Sequence, residues 1–106
     1  MLITTMFAMA LVAAPAPVDV KAARTAYSGC LRAFTEKSIS DKMTLDAFKA
    51  AMPDQCKTEA EDYRLATLAN DKKFGMSAKE SQANYEQDIA DYRDQFMDFF
   101  ESAGGK

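Results

Sequence analysis

The stretch SAKESQANYEQDIADYRDQFMDFFES, Ser77 to Ser102, decides the fold. Tyr85, Ile89, Tyr92, Phe96 and Phe99 recur at alternating steps of four and three, which lays them along one face of an α-helix. Met97 and Phe100 widen that stripe at its lower end. Ser77-Ala78-Lys79-Glu80 reads as a capping box. In it the Ser77 hydroxyl accepts from the Glu80 N–H, and the Glu80 carboxylate reaches back to the Ser77 N–H. Gly104-Gly105 stops the helix. A helix over Ala78–Ser102 is expected, and no segment alternates with period two for long enough to form a strand. The predicted fold class is all-α.

Three further helices precede it. A helix from Pro53 to Lys73 carries Cys56, Ala60 and Tyr63 on one side and Leu65, Leu68 and Ala69 on the other. Two apolar faces predict a central helix between two partners. Lys72 and Lys73 suit the negative end of its dipole, and Gly75 is the expected left-handed residue after it. Before it, a short helix spans Leu45–Met52, with Thr44 as N-cap, Asp46 in the first turn, and Met43 and Phe48 as a hydrophobic staple. Pro53 ends that helix and opens the next at a position where its missing N–H costs nothing. The first helix runs from an Asp19 cap to Lys37, with Ala23, Tyr27, Cys30, Leu31 and Phe34 on one stripe. Gly29 within it is either a tolerated imperfection or a place for close approach of a neighbour. The expectation is a small bundle of three long helices and one short one, a single domain over 19–106, with no internal repeat.

Ahead of that domain, residues 1–18 carry no charge, and every Lys, Arg, Asp and Glu lies from Asp19 onward. Leu2 to Ala14 is an apolar core that would span roughly 20 Å as a helix, short of a ~30 Å hydrocarbon layer. It therefore reads as an export signal over 1–16, with Ala14-Pro15-Ala16 as the small-residue cleavage pattern. No basic residue precedes the core, and Pro17 follows the cut awkwardly; a start upstream of Met1 would supply the missing basic residues. The expected address is periplasmic or secreted, with no stable membrane span in the mature chain.

Export bears on the two cysteines, Cys30 and Cys56. An oxidising compartment favours a disulfide between them over the alternative of two buried free thiols. Closing that loop contributes on the order of 3.5 kcal/mol in the chain-entropy account, a large share for so small a core.

Absences narrow the chemistry. The chain has no histidine, which removes the commonest general base, the usual Ser and Cys triads and histidine-ligated metal or haem. No Cys-x-x-Cys spacing exists for a redox site or covalent haem. The net charge is −3 and no basic patch appears, which argues against nucleic acid. No cofactor, metal or catalytic residue is expected. Asp88, Asp91, Asp94, Asp98 and Glu101 share an acidic face of the last helix, either a solvated face or a site for a cation or basic partner. Met97, Phe99 and Phe100 crowd more apolar area than one helix face needs, and are the candidate interaction surface.

The block Cys30-Leu-Arg-Ala-Phe34, the segment Asp41-Lys-Met-Thr-Leu-Asp-Ala-Phe48 and Cys56 together resemble a group of short, uncharacterised exported proteins of proteobacteria. The resemblance covers residues 25–65 and implies a periplasmic, paired-cysteine helical fold, with no activity attached. Small helical acid-stress chaperones of the periplasm share the plan of one disulfide and export, without a motif match. The expected function is a non-catalytic binding or interaction protein of the cell envelope. The alternatives are a stress chaperone that exposes an aromatic surface and, more distantly, a small carboxylate-dependent hydrolase.

Overall fold

Helix α1 spans Val20–Ser40, α2 Leu45–Ala51, a 3-10 turn Met52–Asp54, α3 Lys57–Lys73 and α4 Ala78–Ser102. The structure is a computed structural model that describes residues 19–104, and no strand occurs among them. The proposed signal over 1–16 lies outside the described residues, as does Gly105.

The helix ends follow local chemistry, with three departures from expectation. Thr44 caps α2 and Ser77 caps α4, each hydroxyl accepting an N–H three residues on at 3.2 Å, from Ala47 and Glu80. The Glu80 carboxylate makes no return bond among the described residues, so only half of the capping box forms. Asp19 occupies the N-cap position of α1, but its side chain accepts no hydrogen bond. The third departure is the start of α3. Pro53 sits in the 3-10 turn, Gln55 is extended and Cys56 is left-handed at φ 60°, so α3 begins at Lys57 rather than at Pro53. Those two residues break the helical run between the 3-10 turn and α3.

The pairings fix the topology. Cys30 of α1 is bonded to Cys56, with Cα atoms 6.0 Å apart, so the disulfide ties α1 to the start of α3. Tyr27, about one turn before Cys30, stacks on Tyr63, about two turns after Cys56, at 6.5 Å between ring centroids. From α4 back to α3, the Tyr85 hydroxyl donates to the Ala60 carbonyl at 2.9 Å and the Ser81 hydroxyl to Asp71 at 2.7 Å. Thus α3 lies antiparallel to both α1 and α4.

The core is two aromatic groups in series. Tyr27, Tyr63, Tyr85 and Tyr92 pack by tilted, stacked and edge contacts with centroids 5.7–6.5 Å apart. Phe48 of α2 then stacks between Phe34 at 5.2 Å and Phe100 at 4.2 Å. Ala23, Leu31, Met52, Ala66, Ile89 and Phe96 complete the buried set. Thr35 and Ser38 are buried on α1 because each hydroxyl donates to the carbonyl four residues back, at 2.7 and 2.8 Å. A Cβ at Gly29 would meet nothing within 4 Å among the described residues, so none of their helices approaches closely there.

Candidate functional site

Helix α3 has the two apolar faces expected of it, but only one is covered. Tyr63, Ala66 and Thr67 turn inward and are buried against α1 and α4. On the opposite side Leu65 is 52% exposed, Leu68 is half-buried and Ala69 is exposed. Helix α3 does pack on two partners, but both, α1 and α4, lie on its inner side; α2 packs on α4 through Phe48 and Phe100, so among the described residues the outer apolar face of α3 is left open. At the same end Phe74, directly after α3, is 81% exposed. Leu68, Ala69, Lys72, Met76 and Ala78 line an open groove of about 440 Å³ between the end of α3 and the start of α4. Leu65 lies one turn from the groove residues Leu68 and Ala69 on the same strip of α3, so a partner can cover them together.

Charge is distributed along that face by sign. Glu61 and Asp62 precede Leu65, while Lys72 and Lys73 follow Ala69. Arg64 grips Glu61 through Nε at 2.9 Å and a terminal nitrogen at 2.6 Å, and this holds the Glu61 carboxyl below its usual range. Asp62, Lys72 and Lys73 are exposed and enter no ion pair among the described residues.

The residues singled out from sequence are placed differently. Of Met97, Phe99 and Phe100, Phe100 is fully buried in the stack with Phe48 and Met97 is half-buried against the core. Phe99 alone turns outward, at 41% exposure, so these three do not form one surface. Asp88 leaves the acidic face, since it is half-buried and accepts the Tyr63 hydroxyl at 2.8 Å. Asp91 accepts from Gln87 at 3.0 Å, and Asp94, Asp98 and Glu101 are exposed along the helix. The ligand atoms of Cys30, Cys56 and Glu59 lie within 4.8 Å of one another. Both sulfurs are spent in the disulfide and offer no thiolate, which leaves Glu59 as the single ligand.

A second depression, of about 230 Å³, lies between α1, α3 and α4. Arg24 stands over the Tyr63 ring at 5.9 Å from its centroid, and Asp71 and Asp88 each accept a hydroxyl from a neighbouring helix. Burial pushes the Tyr63 phenol up; the Arg24 guanidinium opposes this and Asp88 adds to it. Sequence spacing could not bring these groups together, because they come from three helices. Their visible work is to tie those helices to each other.

Comparisons with protein-family models, with curated proteins and with solved structures find no match to this chain. A functional reading therefore rests on the geometry of the α3 face.

Proposed function

We propose that this chain is an exported, non-catalytic interaction protein of the cell envelope that docks a protein partner on the outward face of α3. The observation that carries the reading is the 52% exposure of Leu65, which shares a strip with the groove residues Leu68, Ala69 and Lys72, on a helix whose other face is already buried. Apolar surface left in water forgoes about 25 cal/mol per Å² that a partner would recover. Export is supported by the Cys30–Cys56 disulfide, a bond that persists outside reducing compartments, and by the uncharged stretch over 1–18. Among the described residues no helix is long and apolar enough to cross a membrane.

The test is site-specific photo-cross-linking in cells that make the whole chain. A photoreactive residue in place of Leu65 should give a discrete protein adduct in the envelope fraction, and the same residue in place of exposed Glu36 on α1 should give none. Absence of an adduct at Leu65, or equal labelling at both positions, would refute the docking face. Mass spectrometry of the chain from that fraction checks export: the leader should be gone and one disulfide present.

A further inference from the structure

The order of residues along the open face of α3 carries information about its partner. Glu61, Asp62, Leu65, Leu68, Ala69 and Lys72 recur at steps of three and four, so they share one strip of the helix, and Lys73 borders it. Read from the N-terminal end, the strip runs acidic, apolar, basic. Such a strip is complementary to itself when reversed. If a second α3 is laid antiparallel about a two-fold axis near residue 67, Leu65 meets Leu68 and Ala69 of the other copy. Asp62 then meets Lys72, Glu61 meets Lys73, and each pairing occurs twice. A two-fold interface requires this reciprocity of one patch with itself.

We infer that the partner of the α3 face is a second copy of this chain, in an antiparallel α3–α3 homodimer. The inference rests on the docking role of that face proposed above. Asp62, Lys72 and Lys73 are exposed and make no ion pair within the chain among the described residues, so their charges are available across the axis. The apolar centre supplies the attraction, and the flanking charges set the direction: a parallel pairing would place acid on acid and base on base. Size sets the strength. The 17 residues of α3 make a strip about 25 Å long. Two such strips with the adjoining grooves reach only the low end of specific interfaces, about 1,000 Å² in total. Dimerisation is therefore reversible and dependent on concentration.

Charge reversal tests the register. In sedimentation velocity, the purified, disulfide-bonded protein should shift from monomer to dimer over about 1–500 µM, and the shift should weaken as salt screens the flanking pairs. Asp62→Lys and Lys72→Asp each replace two attractive contacts by two repulsive ones, and each alone should weaken dimerisation by about tenfold or more. Mixed in equal amounts, the two variants should form a one-to-one heterodimer, because opposite charges then face each other at both places. The double variant, Asp62→Lys with Lys72→Asp, should recover self-association. Both positions are exposed, so circular dichroism should show the fold unchanged. A wild-type protein that stays monomeric throughout, or a dimer indifferent to both reversals, overturns the inference. Cross-linking at Leu65 separates the two proposals. An adduct with a different protein, beside a monomeric wild type, defeats the homodimer and spares the docking face, whereas no adduct and no dimer defeats both.

Discussion

Lys42 and Gly75 occupy the same conformational niche, and only one of them suits it. After α3, Gly75 is left-handed at φ 79°, its N–H donates to the Lys72 carbonyl at 3.1 Å and the Met76 N–H to Asp71 at 3.1 Å. After α1, Lys42 is left-handed at φ 55°, with Lys42 N–H to Ile39 at 3.1 Å and Met43 N–H to Ser38 at 3.0 Å. Both ends are Schellman motifs, in which a left-handed residue lets two N–H groups satisfy carbonyls the helix leaves open. A Cβ in that conformation crowds the following carbonyl at roughly 1–2 kcal/mol, and glycine escapes the penalty at some cost in chain entropy. Lys42→Gly should therefore stabilise the protein by about 0.5–1 kcal/mol, while Gly75→Ala should destabilise it by about 1 kcal/mol. Urea denaturation midpoints at neutral pH check both. A destabilising Lys42→Gly would mean that the lysine side chain contributes more than its backbone costs.

At the scale of helices, the half-formed capping box of α4 separates two contributions that the sequence pattern merges. The Ser77 hydroxyl accepts the Glu80 N–H, whereas the Glu80 carboxylate makes no bond back. Ser77→Ala should then cost about 1 kcal/mol, and Glu80→Ala only a few tenths, from its charge near the positive end of the helix dipole. Equal losses in urea denaturation would show that the full box forms in solution. The bounds of α4 were legible because its apolar spacing and its cap agree. Other features were not. Phe99 and Phe100 are adjacent, and the choice of which turns inward belongs to Phe48, which arrives from α2 to stack on Phe100. Similarly, the second apolar face of α3 could be read from Leu65, Leu68 and Ala69, but periodicity does not say how many neighbours a helix has. With α1 and α4 on one side and α2 on α4, that face stays open among the described residues, whereas of Met97, Phe99 and Phe100 only Phe99 turns outward.

For the molecule as a whole, the disulfide was legible because two cysteines allow one pairing. The tyrosine cluster at its centre was not, since it gathers Tyr27 from α1, Tyr63 from α3 and Tyr85 and Tyr92 from α4. That cluster governs behaviour in alkali. Burial pushes the phenols of Tyr27, Tyr63 and Tyr85 up from their ordinary value. The Arg93 guanidinium opposes the rise at Tyr27, and Glu61 and Tyr27 reinforce it at Tyr85. Each group is thus harder to ionise in the folded chain than in the unfolded one. Below about pH 10, the ordinary tyrosine value, both states are protonated and this contribution to stability is fully present. Above it the unfolded chain loses protons first and binds fewer than the folded chain, so stability falls as pH rises through the folded-state values. Urea midpoints should therefore be level from about pH 7 to 9 and decline above about pH 10, with the disulfide verified intact on non-reducing gels. Tyr27→Phe removes one of the three ionisations and should make that decline shallower. It also deletes a buried hydroxyl that, although Arg93 is near enough to act on its charge, has no hydrogen bond of good geometry among the described residues, so its cost at neutral pH should be small. A decline of unchanged steepness in Tyr27→Phe would place the alkaline sensitivity elsewhere than in this buried phenol.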